Sequence, residues 1–230
     1  MQSSPKPFSY GAIMRHSVRG SFILMSVLVA GACSESALPG PAPAGPPPPG
    51  TQPPGTQTFT PSFISAASDA PAIANPVVSF YAKKGVDAEA FMYYRPRPGR
   101  TDSTVFVRFR VGKNALFTRP GGGAIAAGDS VLITITLADP VHLVIDMQPA
   151  GLRFTPTEPA ELKLSYLEAD DDLNHDGRVD AADTALESAL AIWRREGSTT
   201  PWTKLASIVQ IGTHEIEALV TGFTSYAVAY

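Results

Sequence analysis

Apolar and polar residues alternate with a period of two along most of the chain after residue 75. In 105–111 the odd positions are Val, Val, Phe and Val, whereas positions 108 and 110 are arginines. A second apolar stripe occupies the odd positions of 131–137, with threonines at 134 and 136. Because successive side chains of a strand point to opposite faces, both segments are predicted to be half-buried strands. Similar patterns predict strands at 77–81, 89–94, 141–146, 161–167, 202–210, 215–220 and 225–230.

Turn-forming residues separate these strands, at 85, 96–100, 120–123, 128–129, 139–140 and 151. Short strands with such turns between them favour an antiparallel sandwich over alternating β-α units. One segment differs: 181–196 has a helical period, with Leu186, Ala189, Leu190 and Trp193 on one face, arginines at 194 and 195, and Gly197 placed to end the helix. We therefore predict a mainly β fold, an antiparallel β-sandwich over 76–230, with a loop and an α-helix inserted at 168–197.

The segment before this helix carries oxygen-bearing side chains at regular intervals. Counted from position 1, they are Asp172 (1), Asn174 (3), Asp176 (5), Asp180 (9) and Asp183 (12), with Gly177 at position 6. This is the spacing of an EF-hand calcium loop, in which glycine makes the sharp turn and position 7, here Arg178, supplies its main-chain oxygen. Val179 at position 8 is predicted to hold the loop to the core. The sequence therefore predicts a Ca²⁺ site.

The loop and its helix, DLNHDGRVDAADTALESALAIW, resemble one half of a dockerin repeat. The resemblance implies a calcium loop followed by an exit helix, without an entry helix. Two departures matter. Dockerins that bind cohesins use two such repeats, and this chain shows one. Position 12 is aspartate, which is shorter than the usual glutamate and favours a modest affinity.

Charge is concentrated in this loop. Seven of the 21 acidic residues fall within 168–183, together with one arginine. Without a cation, each close pair of carboxylates would repel by about 1 kcal/mol even in water. A solvated acidic loop that caps the helix through Asp180 is the simpler alternative, but it explains neither the glycine nor the alternating oxygens. Mg²⁺ is a lesser alternative because it prefers fewer protein ligands.

The N-terminus has the features of an export signal. Residues 1–20 carry basic residues and no acid, and 21–32 form a 12-residue stretch that is almost wholly apolar. The following LVAGAC resembles the lipobox of bacterial lipoproteins, which implies that Cys33 is lipidated and becomes the first mature residue; Ala30 stands where Leu is usual. Ordinary cleavage near Ala32 is the alternative, and translation from Met14 would leave a compact signal.

Residues 34–75 are predicted to be a disordered linker that is rich in proline and glycine. Ten prolines fall within 39–61, and glycine recurs at 40, 45, 50 and 55. Such a composition cannot form a core and favours extended polyproline II segments. At about 3.1 Å per residue, 39–61 would reach roughly 70 Å. We expect a spacer between the membrane and the sandwich.

Overall composition narrows the class of function. The chain has 230 residues, a formal net charge of −3 and one cysteine. A nucleic-acid-binding domain normally has a strong basic excess, so no nucleic-acid partner is expected. A single cysteine excludes an internal disulfide and every multi-cysteine metal site. There is no run of about 20 apolar residues of the kind that spans a bilayer as a helix.

The body of the chain resembles the β-sandwich domains of zonula-occludens and netrin-receptor proteins. The resemblance covers the stretch 116–166 and the end 217–230, and it is carried by PGGGAIAAGDSVLITITL, GLRFTPTEPAELKLSY, WTKL and EALVTGFTSYAVAY. Relatives of that domain occur in bacterial surface proteins. The resemblance implies a binding or assembly module without an active site, although a fold alone does not decide function.

Tyr94, Arg95, Arg97 and Arg100, with Tyr93 beside them, form a candidate binding patch for a sugar acid, a phosphate or carboxylates. A solvated turn with arginines stacked on tyrosines is the favoured alternative. The four histidines lie apart and match no nucleophile or zinc pattern. No catalytic residue is assigned, and we expect a protein that is not an enzyme.

Together these features predict an exported, lipid-anchored, calcium-binding structural or binding module of the bacterial cell envelope, at the outer membrane or cell surface. Its expected partners are the membrane and an unidentified protein or polysaccharide. The alternatives are a scaffold-docking, dockerin-like interaction protein and a hydrolase of envelope polysaccharides. A hydrolase would need paired carboxylates or an activated nucleophile in a cleft, and the acids here are committed to the loop.

Overall fold

The computed structural model describes residues 60–230. In chain order its elements are β1 (Val77–Lys83), β2 (Ala88–Tyr93), β3 (Val105–Val111), β4 (Leu116–Thr118), β5 (Ser130–Asp139), β6 (Val144–Gln148), β7 (Arg153–Phe154), β8 (Ala160–Ser165), α1 (Ala181–Ala189), β9 (Ala191–Arg195), β10 (Thr203–Lys204), β11 (Ser207–Gln210), a short 3₁₀ turn (Ile211–Thr213), β12 (Glu215–Val220) and β13 (Ser225–Ala229). The mainly β prediction with one α-helix is confirmed for this part of the chain.

The strands form two main antiparallel sheets. One has six strands in the order β1-β5-β6-β13-β9-β10, and the other has five in the order β11-β12-β8-β3-β2. Strands β4 and β7 form a separate pair. Residues 203–210 pass from the first sheet to the second, because β10 pairs with β9 and β11 pairs with β12.

The core lies between the inner faces of the two sheets. Phe109 of β3 is fully buried and contacts Phe80 of the opposite sheet, with 6.4 Å between ring centroids. It also lies 6.1 Å from Phe154 and 5.5 Å from Phe223. Burying one such ring contributes about 1.5–3 kcal/mol relative to leaving it in water. This interlocked aromatic cluster confirms the predicted sandwich.

Period-two alternation located the long strands well. The segments 105–111 and 215–220 coincide with β3 and β12, and the other predicted strands overlap observed ones with ends shifted by a few residues. The predicted strand 202–210 is two short strands that belong to different sheets. The short strands β4 and β7 were not predicted, since two or three residues show no measurable period.

The predicted helix 181–196 is wrong beyond Ala189. Leu190 ends the helix with extended backbone angles (φ −54°, ψ 145°), and 191–195 form strand β9 between β13 and β10. Ile192 faces the core, whereas Trp193 is buried on the opposite face against Phe63 and Trp202. A strand that is buried on both faces has a continuous run of apolar residues in its sequence. Such a run also matches a helical period, so the pattern could not distinguish the two. The arginines at 194 and 195 therefore belong to a strand.

The sandwich begins before the predicted boundary at residue 76. The N–H of Ser62 donates to the carbonyl of Tyr230, and that of Ile64 donates to Val228, both at 3.2 Å. Ile64 is only 2% exposed, and Ile73 pairs with Tyr94. The described end of the predicted linker, 60–75, is thus a strap packed on the sandwich. The predicted signal with Cys33 and the rest of the linker lie outside the described residues.

Across residues 60–230, no helix has the length and apolar character needed to cross a membrane.

Candidate metal-binding loop

The acidic loop joins β8 to α1 and is held at its base by the strap. The N–H of Ala67 donates to the carbonyl of Glu168 at 3.0 Å, and the N–H of Asp170 donates to Ser65 at 2.8 Å. Leu173 is 8% exposed and packs into the core. Its carbonyl accepts a 2.7 Å hydrogen bond from the Tyr230 hydroxyl. The start of the loop is therefore fixed to the sandwich by backbone hydrogen bonds and by the buried side chain of Leu173.

The first half of the loop coils around its own carboxylates. Asp172 accepts hydrogen bonds from the N–H of Asp176 (3.1 Å) and of Gly177 (2.8 Å). Asn174 Oδ1 also accepts from the N–H of Asp176 at 2.9 Å, and Asp176 Oδ1 accepts from Arg178 at 3.0 Å. Gly177 has a φ of +86°, in the region that residues with a Cβ resist. Gly177 therefore makes the left-handed turn that the spacing predicts.

The second half is closed by a reciprocal cap on α1. Asp180 is the N-cap and accepts from the N–H of Ala182 at 2.7 Å, while Asp183 Oδ2 accepts from the N–H of Asp180 at 2.9 Å. Asp183 Oδ1 also accepts from the N–H of Asn174 at 3.2 Å. Position 12 therefore reaches back to position 3, and one side chain joins the two ends of the loop.

Asp183 is a buried carboxylate, with a relative exposure of 4%. Backbone N–H groups, first that of Asp180, lower the pKa of Asp183 below its usual value. Hydrogen bonds to a charged form stabilise that form, so Asp183 stays ionised in the folded protein. A negative charge in the first turn is also favoured by the helix dipole.

Most acids of the loop lack an ion-pair partner in the described part of the chain. Among the described residues, Glu168 alone of the seven acids forms an ion pair, with Arg97. Asp170, Asp171, Asp172, Asp176, Asp180 and Asp183 have no Lys or Arg partner within 60–230. The adjacent Arg178 is exposed and joins no carboxylate there. The loop thus combines backbone order with uncompensated negative charge.

Val179 does not hold the loop to the core, contrary to the prediction from position 8. Its side chain is 69% exposed, whereas Leu173 at position 2 is buried. The backbone explains the difference: Leu173 adjoins the loop base, while Val179 lies beyond the Gly177 turn. An apolar residue between the first two oxygen-bearing positions, Asp172 and Asn174, is the sequence signal for this contact, together with the C-terminal tyrosine.

Within residues 60–230, no group of three or more His, Cys, Asp and Glu side chains is placed to hold a metal ion. The loop carboxylates instead accept backbone N–H groups, as described above. The predicted donors are carboxylates, the amide oxygen of Asn174 and the main-chain oxygen of Arg178, and this all-oxygen chemistry fits a hard cation. Asp172, Asp176 and Asp180 would be its side-chain carboxylates from the loop, with Asp183 from the helix.

The candidate patch at 94–100 is not assembled as predicted. Tyr94 is 2% exposed and packs edge-on against Phe106, with 5.5 Å between ring centroids. Burial raises the pKa of its hydroxyl, which has no hydrogen-bond partner among the described residues. The alternating strand pattern turns Tyr94 inward next to exposed Tyr93. Tyr94 is therefore a core residue and offers no surface for a ligand.

The three arginines of that patch are exposed on the turn. Arg97 pairs with Glu168 and, at 3.2 Å, with Asp69 of the strap. Arg100 pairs with Asp102 at 2.7 Å. Arg95 alone of the three has no carboxylate partner within 60–230. Two of the three predicted cations thus already have partners, and Arg97 ties the turn to the strap and to the acidic loop.

No protein-family model, curated protein or solved structure matches this chain. The resemblances to dockerin repeats, to zonula-occludens and netrin-receptor domains and to lipoprotein signals therefore stay predictions from the residues that carry them.

Proposed function

We propose that this protein is a calcium-binding structural or binding module, exported and tethered to the bacterial cell envelope. One observation carries the proposal. The acidic loop, whose carboxylates at 170–183 have no Lys or Arg partner within residues 60–230, is nevertheless held in a tight coil, with Gly177 at its turn and Asp183 joining its two ends. Six carboxylates concentrated within 170–183 repel one another, and a bound divalent cation would reduce the repulsion.

Calcium is favoured over magnesium by the number and type of donors. The loop offers the side-chain oxygens of Asp172, Asn174, Asp176, Asp180 and Asp183 and the carbonyl of Arg178. Ca²⁺ takes six to eight oxygens in flexible geometry, whereas Mg²⁺ keeps several waters and uses few protein ligands.

The metal would act on stability and order, and in this proposal the protein is not an enzyme. Because the unfolded chain has no assembled site, the metal would bind only the folded protein and would therefore stabilise it. The same cation would fix α1 on the sandwich, since Asp180 and Asp183 both cap that helix. The strap, the loop and the last strand meet at this end of the sandwich.

Titration calorimetry of the purified full-length chain with Ca²⁺ and with Mg²⁺ tests the metal site. We expect Ca²⁺ uptake near one per chain and a melting temperature that falls in EDTA; at a free concentration 100 times Kd, the gain is about 2.7 kcal/mol. Asp176→Ala should abolish the difference between calcium and EDTA. Asp171→Ala is the matched control, because it removes an exposed acid outside the predicted ligand positions. Absence of uptake at millimolar Ca²⁺ would overturn the proposal.

The tether has its own test. If Cys33 carries the lipid, the full chain expressed in a bacterial host should sediment with membranes, and Cys33→Ala should release it into the soluble fraction. A Ser34→Ala variant controls for the change of sequence at that point. Continued co-sedimentation of Cys33→Ala in high salt would contradict the anchor and leave the calcium proposal standing.

A further inference from the structure

A cavity of about 370 Å³ lies on the six-stranded sheet, away from the acidic loop. Its walls come from the ends of β6, β13 and β9 and from the loop that follows β9. Two charged side chains that line it, Arg195 and Asp146, make no side-chain hydrogen bond or ion pair within residues 60–230.

Arg195 is positioned without using its donors. Its guanidinium lies 4.7 Å from the ring centroid of Trp202, and its Nε is shielded from solvent without a hydrogen-bond partner. The Arg195 side chain donates no hydrogen bond to any acceptor within 60–230. Stacking on Trp202 thus orients a planar set of N–H donors at the cavity, which suits a carboxylate.

Asp146 stands two strands away in the same row of the sheet. Asp146 of β6 pairs with Ser225 of β13, and Ser225 pairs with Arg195 of β9. Neighbouring strands are about 4.8 Å apart, so the Cα atoms of Asp146 and Arg195 are separated by roughly 10 Å. Asp146 makes no hydrogen bond or ion pair with another side chain of the described part. An unpaired acceptor and an unpaired donor therefore face one cavity across a serine.

Uncharged groups complete the wall. The Oε1 of Gln148 accepts from the N–H of Ala150 at 2.8 Å, which orients the amide and leaves its NH₂ as a donor. The hydroxyls of Ser225 and Ser198 also line the cavity. The second arginine, Arg153, lies 3.5 Å from Glu196 and is already paired. Arg195, which has no ion-pair partner in the described part of the chain, thus stands among several groups that bind hydroxyls.

We propose that this cavity binds an acidic sugar unit of a polysaccharide. The sugar carboxylate would pair with Arg195, and ring hydroxyls would donate to Asp146 and bond to Ser225 and Gln148. A simple anion without hydroxyl groups, such as acetate, would pair with Arg195 but would offer no hydrogen-bond donor to Asp146. In an α-amino acid the ammonium and the carboxylate are attached to the same carbon. They are therefore too close together to pair with Asp146 and Arg195 at the same time. The inference goes beyond the calcium proposal and uses none of its residues.

Titration calorimetry of the full-length chain with a tetramer of galacturonic acid tests it, with neutral maltotetraose as the comparison. We expect measurable binding of the acidic tetramer and at least about tenfold weaker binding of the neutral one, because hydrogen bonds between charged groups are the strong ones. Arg195→Gln should weaken binding by about tenfold or more. Arg110→Gln, an exposed arginine on the other sheet, is the matched control and should change nothing.

The Asp146→Asn variant distinguishes a site for an acidic sugar from a site for a simple anion. Loss of a charged acceptor should weaken binding of the tetramer several-fold, whereas an anion site would bind more tightly once the repelling charge is gone. Circular dichroism of each variant checks that it is folded. Equal binding of neutral and acidic tetramers, tighter binding to Asp146→Asn, or equal competition by acetate or glycine would overturn the inference. Titrations in calcium and in EDTA keep this result separate from any failure of the metal site.

Discussion

The hydroxyl of Tyr230 donates a 2.7 Å hydrogen bond to the carbonyl of Leu173 and so joins the residue after the last strand to the start of the acidic loop. The partners are 57 residues apart in sequence. Tyr230→Phe removes this donor and little else. We expect it to lower the free energy of unfolding by about 0.5–1.5 kcal/mol, the usual net contribution of one hydrogen bond. Urea denaturation in EDTA measures the loss.

Tyr81→Phe is the matched control, because Tyr81 is 69% exposed and its hydroxyl has no partner within 60–230. Its change should lie within about 0.5 kcal/mol of zero, as for most surface substitutions. If both variants behave alike, Tyr230 does not hold the loop.

Leu173 and Val179 offer a second contrast within the loop. Leu173→Ala removes a buried side chain and should cost about 2–5 kcal/mol, from lost transfer energy and the cavity left behind. Val179→Ala, at a position that is 69% exposed, should change stability by no more than about 0.5 kcal/mol. Urea denaturation of both variants under identical conditions measures the difference. A larger cost for Val179→Ala would restore the sequence-based assignment of Val179 as the anchor.

Local patterns predicted the long strands, the glycine turn and the helix start, because each is decided by a few neighbouring residues. Gly177 and the Asp180 cap follow from backbone chemistry that the sequence displays directly. The end of the helix could not be predicted from the local pattern, because pairing of 191–195 with β13 outweighs the helical period of that segment. The partners of Leu173 and of Arg195 depend on residues such as Tyr230 and Trp202, which only the fold brings near.

Asp183 should make the fold sensitive to acid. Its folded-state pKa lies below the ordinary value of 3.8, so as the pH falls the unfolded chain takes up the proton first. The stability that its charge contributes is therefore fully present above about pH 3.8 and is lost as the pH falls through the folded value. In EDTA, Asp183→Asn should have a lower free energy of unfolding than wild type at pH 6. The difference between the two free energies should narrow below pH 3.8.

Asp171→Asn is the control for this titration, because Asp171 is exposed and accepts no hydrogen bond within 60–230. Urea denaturation at several pH values measures both variants. A gap between wild type and Asp183→Asn that stays constant from pH 6 to pH 2.5 would show that the Asp183 charge is not the stabilising feature.

Tyr94 and Tyr226 are both buried, and burial raises the pKa of both hydroxyls, but only one hydroxyl has a partner. Tyr226 donates to the carbonyl of Gly222, whereas the hydroxyl of Tyr94 is unpartnered within the described residues. A buried polar group without a partner costs about 1–3 kcal/mol. Tyr94→Phe should therefore raise the free energy of unfolding by about 1 kcal/mol, and Tyr226→Phe should lower it by about as much. Because both substitutions delete the same atom from similar surroundings, thermal unfolding of the two variants tests the sign directly. A destabilised Tyr94→Phe would mean that its hydroxyl finds a hydrogen-bond partner in solution.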